Sequence, residues 1–390
     1  MTGVALYFIP ILLCAVTPFF RELSDSRRWY ICMGVFLCLF YCFGYMTGSD
    51  WREYEDWYYR INFNRLFFNY FAEPGYYLYM VLFRALGIGF WPFFIFTKTI
   101  IFIIIYRTIF DYCKESGYLT LMYFLPWFGM YLLIDNPMRN CIAIAIFTVS
   151  VRYVIEHKFW KFLLCMLLAA SFHFSSLVIL LTYPLLNRKI SNWVYVMLFL
   201  IVNLIFADRD FVIGALSSLF GKIPYVSDKI EGYLLMNSDF AKGKVFSFGM
   251  LWQIGVFILL LCYRDRITDY ISGNKGLLVF NSAMLYMLFL RFAMTIEVFV
   301  RIQLYYSLFL AIAVGLILLS FDFRSRIIYV CMLFMVSSYT CLAKVTSSAR
   351  FVPYTNVVQY MIKGEFPSYS ERYFYNYRNS PYVSDADFAQ

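Results

Sequence analysis

Apolar runs of roughly 20 residues follow one another along almost the whole chain, and this spacing decides what it can fold into. No soluble core absorbs that many runs. A mean hydropathy of +0.67 with only 15% charged residues excludes a soluble globular domain. The runs do not alternate apolar with polar residues (Ile100–Tyr106 reads IIFIIIY), so a membrane barrel is excluded too. The expected fold class is an all-α polytopic integral membrane protein with about 12 transmembrane helices and an outer-face cavity.

The expected spans are 4–20, 29–47, 91–110, 118–134, 138–155, 159–170, 174–186, 190–206, 247–263, 276–292, 302–320 and 327–343. The first run, Val4–Phe20, lacks a basic n-region and a cleavage site and is expected to be a retained span. Residues 75–88 are apolar but short and carry Arg84, so they are expected to form an extra partial or re-entrant helix. The stretch 159–186 is read as two short helices meeting at the polar patch Ser171–Ser176.

The chain carries a formal charge of +9, and its positive residues cluster in short loops between the spans. That is the positive-inside pattern, and it argues for membrane lipids rather than nucleic acid as the partner. The loops Arg21–Arg28, Arg107–Lys114, His157–Lys161, Arg188–Lys189, Arg264–Lys275 and Arg324–Arg326 are expected in the cytoplasm, with both termini outside. The cysteines have no metal-site spacing and read as small hydrophobes.

The expected organisation is one transmembrane domain, residues 1–343, with outer loops 48–73 and 207–245 and a tyrosine-rich outer tail, 344–390. The aromatic residues of these outer segments suit a membrane interface or stacking on sugar rings. No internal repeat is evident, which argues against a transporter.

Arg139, His173 and Arg301 stand out because they lie at or inside apolar spans. An ionisable group there costs about 2.5–3.5 kcal/mol on insertion scales, so it tends to face a wet cavity with a function. Arg139 follows Asn136-Pro137, which reads as an N-cap and a first-turn proline, so the arginine is expected at a helix start. Free N–H groups and a guanidinium together favour two phosphate oxygens. His173 sits at a polar break, AASFHFSS, where a histidine can donate to an anion or exchange a proton near neutral pH.

Arg291 and Arg301 bracket a short outer turn containing Glu297, which is placed to pair with Arg301. Tyr305 lies one turn further on. Of the carboxylates in the first outer loop, Asp50 and Glu73 each abut a span and are the candidates for a catalytic base, while Glu53, Glu55 and Asp56 read as solvated. Asp208-Arg209-Asp210 resembles a DxD motif only superficially, and no metal site or cofactor is expected.

With these residues in hand the chain resembles the EpsG-like, Wzy-type polysaccharide polymerases of bacterial inner membranes. The resemblance runs through GSD with Asp50 and Tyr54, EPGY at Glu73–Tyr76, RNCIAIAIF from Arg139, LLAASFHFSSLVIL with His173, RIQLYYSLF with Arg301 and Tyr305, and Pro353-Tyr354. The chain departs from the family in lacking an arginine before the glycine–aspartate pair and in having Asn140 where glutamine is common.

The resemblance implies a multi-pass inner-membrane enzyme with its active face outward, working without a metal. It would transfer a growing glycan from undecaprenyl diphosphate to another undecaprenyl-diphosphate-linked oligosaccharide, with a chain-length regulator protein as a further partner. In that reading Arg139 and Arg301 bind diphosphates, with Arg291, Tyr305 and Tyr54 as further substrate-binding residues. His173 orients a diphosphate or moves a proton, and Asp50 or Glu73 activates the acceptor hydroxyl. The alternatives are an O-antigen ligase-type transferase, a flippase or exporter of lipid-linked glycans, and a membrane acyltransferase.

Overall fold

A computed structural model describes residues 3–61, 73–206, 211, 212, 214, 218, 248–271, 273–296 and 298–382. Its elements are helical; among the described residues the β-type pairing is a single bridge between Gly44 and Asn356. Six helices are long and apolar enough to cross a membrane: Phe90–Tyr112, Lys114–Asp135, Met138–Ile155, Lys275–Thr295, Phe299–Leu318 and Phe323–Thr346. At about 1.5 Å per residue each approaches or exceeds the ~30 Å hydrocarbon core. Four shorter apolar helices are Ala5–Phe19, Phe159–Phe172, Asn192–Ile205 and Gly249–Cys262. The chain is a polytopic helical membrane protein.

The described residues divide into two compact units, Met1–Leu177 with Leu318–Gln390, and Val178–Ile317. The first unit contains α1 (Phe8–Val16), α2 (Arg27–Cys42), α3 (Trp51–Arg60), α4 (Pro74–Ala85), α5 (Phe90–Tyr112), α6 (Gly117–Phe124, continued as a π-helix over Leu125–Asp135), α7 (Met138–Ile155) and α8 (Phe159–Phe172). Near the C-terminus it adds α9 (Phe323–Thr346) and α10 (Tyr369–Asn379).

In this unit α4 has 12 residues. That gives about 18 Å, too short to cross, as expected of a partial helix. The expected break in 159–186 is present: α8 ends at Phe172, and His173 turns extended (φ −159°, ψ 119°).

The second unit shows where apolar composition misled. The expected span 174–186 consists of two short helices, Ser176–Leu180 and Tyr183–Leu186, because the chain turns at Leu181-Thr182 and Pro184 sits in a first turn. The freed carbonyls are satisfied from within the unit. Buried Asn281 donates through Nδ2 to the carbonyls of Leu185, Leu186 and Arg188 at 2.8, 3.1 and 2.9 Å. Its Oδ1 accepts from the Tyr195 hydroxyl at 2.8 Å. A polar side chain at depth here serves helix ends, which would otherwise cost about 1–3 kcal/mol per orphaned group.

Residues 48–61 and the C-terminal segment, expected as part of an outer loop and as an outer tail, carry structure in the first unit. Buried Asp135, at the end of the π-helix, accepts from the Ser49 backbone N–H at 3.0 Å, from Ser49 Oγ at 2.7 Å and from Arg350 Nη1 at 3.1 Å. Gly48, at φ +86°, lies so close to the Ile134 carbonyl that no side chain fits there. Tyr354 stacks on Phe40 at 4.7 Å, and Arg372 of α10 pairs with Glu55 of α3 at 2.6 Å. Glu55 is buried, so its reading as a solvated loop charge is corrected. It sits on the face of α3 shared with Trp51 and Tyr58, while Asp56 pairs at the surface with Arg60.

Candidate functional site

Three helix ends of the first unit meet at one carboxylate. Glu73 is the residue before α4; its extended backbone and the following Pro74 open that helix. Arg139 is the second residue of α7, and His173 is the residue at which α8 stops. Glu73 Oε2 accepts from Arg139 Nη1 at 2.7 Å, and Glu73 Oε1 lies 2.9 Å from His173 Nδ1. Glu73 and His173 are buried. Their close approach depends on Gly75, where a Cβ would collide with the Ser171 side chain at the end of α8.

The helix start at Arg139 forms differently from the sequence expectation. Asn136 takes the left-handed conformation (φ 59°) and closes the preceding π-helix, its N–H bonding to the Tyr131 carbonyl at 2.8 Å. Its side chain caps nothing, and Pro137 occupies the N-cap position of α7. The outcome for Arg139 is as expected: a guanidinium held at a helix N-terminus.

Burial pushes the Glu73 carboxyl up from its ordinary 4.5, but the hydrogen bond from His173, the Arg139 charge and its own backbone N–H outweigh this and hold it at about 2. An ionised carboxylate only accepts, so Nδ1 of His173 carries the proton of this bond. Nε2 of a neutral imidazole is then a lone-pair acceptor, and it is buried with no hydrogen-bond partner among the described residues. Nε of Arg139 is likewise buried without one. Both nitrogens belong to side chains bonded to the same carboxylate.

Aromatic residues of α3 complete the site. The Arg139 guanidinium lies 5.2 Å from the Trp57 ring centre. The Tyr54 hydroxyl is within hydrogen-bonding reach of Arg139, and burial pushes this phenol up. Asp50 accepts from Ser49 Oγ at 2.9 Å, and its charge bears on Tyr54.

Of the residues singled out from sequence, Glu73, Arg139, His173 and Tyr54 come together, with Asp50 nearby. Arg291, Arg301 and Tyr305 belong to the second unit. There Arg291 Nε donates to the Phe206 carbonyl at 2.9 Å, Arg301 lies in the helix Val298–Gln303, and Tyr305 is fully buried in the turn Leu304–Tyr306. Glu297, the expected partner of Arg301, and the Asp208-Arg209-Asp210 motif lie outside the described residues, as does most of the expected loop 207–245.

Trp57 and the Asp135–Arg350 pair were missed. Asp135 carries the signal that marked Arg139, an ionisable residue at the edge of an apolar run. Trp57 carries none, since every aromatic residue of that segment suits a membrane interface equally.

The sequence pattern of the EpsG family matches residues 27–356, which include every residue named above as a site candidate. No curated protein and no solved structure matches the chain.

Proposed function

The chain belongs to the EpsG family, and from that premise we propose that it is a polysaccharide polymerase: a glycosyltransferase that joins undecaprenyl-diphosphate-linked oligosaccharide repeats into a surface polysaccharide. We place it in the bacterial inner membrane with the site facing outward. The four shorter apolar helices are read as further crossings, ten with the six long ones.

The observation that carries the chemistry is the Glu73 carboxylate, flanked by Arg139 and His173 with an unused nitrogen on each. An acceptor hydroxyl attacks the anomeric carbon of the donor glycan; a new C–O bond forms, and the bond to the diphosphate oxygen breaks. His173 Nε2 takes the hydroxyl proton. Arg139, cationic at a helix N-terminus, draws the charge that develops on the departing diphosphate, a role a divalent cation plays elsewhere.

Both oxygens of Glu73 are already occupied and its carboxyl is held at about 2, so it is a poor base. It acts as a positioning residue, fixing the tautomer of His173 and the direction of Arg139. Trp57 and Tyr54 offer a stacking surface and a hydroxyl for the sugar. Arg291 and Arg301 are retained as candidates for the second lipid-linked substrate.

The test is purified protein in detergent with EDTA and purified lipid-linked repeat units. The reading expects a ladder of extended glycan on the lipid. Transfer of a single glycan onto a lipid core, without extension, would favour a ligase. Activity lost in EDTA and restored by a divalent cation would remove the arginine-based account of the leaving group.

A further inference from the structure

A groove of about 400 Å³ opens among α4, α5, α7 and α8 in the first unit, within the range of roughly 300–1,000 Å³ of ligand sites. Its wall on α7 is Ile142, Ala145, Ile146 and Val149, a single stripe at three- and four-residue spacing. Arg139 stands three residues before Ile142 and heads that stripe. The wall on α8 is Cys165, Leu168 and Phe172, again one stripe, and Phe172 directly precedes His173. Both walls therefore run to the catalytic cluster. The groove's polar members satisfy each other: the Thr97 hydroxyl bonds the Phe93 carbonyl at 2.8 Å and meets the Tyr79 hydroxyl at 2.9 Å. Nothing is left in it to hold a sugar or a phosphate.

The geometry points to this groove as the seat of the isoprenoid tail of the lipid-diphosphate donor, with its diphosphate at Arg139. From Arg139 to Val149 the stripe spans ten residues, about 15 Å, or roughly half the hydrocarbon core. An anion at its head and a hydrocarbon chain along its length match one amphiphile lying within one leaflet. A bulk phospholipid gains from the same apolar wall but has no diphosphate for Arg139. Within the hydrocarbon core the tail gains by packing against the groove wall, so groove contacts set the preference for a long tail while Arg139 sets register. This inference rests on the proposed reading of Arg139 as a diphosphate site, and the two are separable by experiment.

The test is binding of undecaprenyl diphosphate, geranyl diphosphate and phosphatidylglycerol to the full chain in detergent, by native mass spectrometry. Wild type is expected to bind undecaprenyl diphosphate at least about tenfold more tightly than either of the others. Ala145→Trp and Ile146→Trp, which fill the groove, are expected to abolish that preference, and retained binding of inorganic diphosphate, which has no tail, shows that the variants are folded. Arg139→Ala is expected to weaken both diphosphates. Equal binding of the long- and short-tailed diphosphates by wild type overturns the groove assignment, as does displacement of undecaprenyl diphosphate by equimolar phosphatidylglycerol. Unchanged diphosphate binding by Arg139→Ala instead overturns the site reading and leaves the groove to stand or fall on tail length.

Discussion

Two carboxylates from the segment joining α2 to α4 are buried against arginines in the first unit, and they end in opposite states. Glu73 has both oxygens bonded and is held at about 2. Glu55 has one oxygen on Arg372, while the other, near the Trp91 indole, completes no hydrogen bond. Burial therefore wins at Glu55, and its carboxyl is raised despite Arg372. The difference lies in the number of donors aimed at each carboxylate. One cation offsets part of the desolvation cost; an arginine, an imidazole N–H and a backbone N–H together reverse it. Glu55 pins the tail to α3, and Glu73 holds together the start of α7 at Arg139 and the end of α8 at His173.

If that contrast is right, variants on the two sides fail differently. The largest effect is expected for His173→Ala, with turnover down roughly 10²–10⁴-fold beside a loss of about 1–3 kcal/mol of stability for the donor removed from Glu73. Glycan extension with purified lipid-linked repeat checks this, alongside a melting curve. Arg372→Ala is expected to fail in stability instead. It strands a buried carboxylate at a cost of roughly 3–5 kcal/mol, and Glu55→Gln in the same chain recovers much of it. Normal turnover in His173→Ala, or a stable Arg372→Ala, would erase the distinction.

The pH dependence should carry opposite signs. Glu73 has a folded value below its ordinary 4.5. Its contribution is present above 4.5 and is lost as pH falls toward about 2. Glu55 has a raised folded value, so the folded state binds the extra proton and its contribution declines as pH rises from 4.5 through that raised value. Unfolding curves against pH for Glu73→Gln and Glu55→Gln should diverge from wild type on opposite sides of pH 4.5. The smallest effect is expected for Tyr54→Phe. Losing one neutral acceptor for Arg139 is worth about 0.5–1.5 kcal/mol, or roughly two- to tenfold in turnover.

Much of this was legible in the chain. Long apolar runs fix helices by length alone, so most expected spans match helices; 29–47 is helical only to Cys42, and Thr182 and Pro184 split residues 174–186. Arg139 and His173 were visible because an ionisable residue in apolar surroundings is costly wherever the fold puts it. Asn136 shows the limit: it has the right chemistry for an N-cap, but a left-handed backbone spends it on ending the helix before.

Glu55 shows another limit. In the row Glu53, Glu55, Asp56 nothing distinguishes it until Arg372, 317 residues away, packs against that face. That Glu73 joins Arg139 and His173 was equally hidden, since separations of 66 and 100 residues are set by packing that no local pattern encodes.

The measurement closest to the central claim is a double-variant cycle on glycan extension with Arg139→Ala, His173→Ala and both together. Because both act through the same carboxylate, each single variant is expected to lose about a hundredfold or more and the pair little beyond the worse of the two. Polymer of unchanged length and rate from either single variant, or losses that simply multiply in the pair, would contradict a site organised by Glu73.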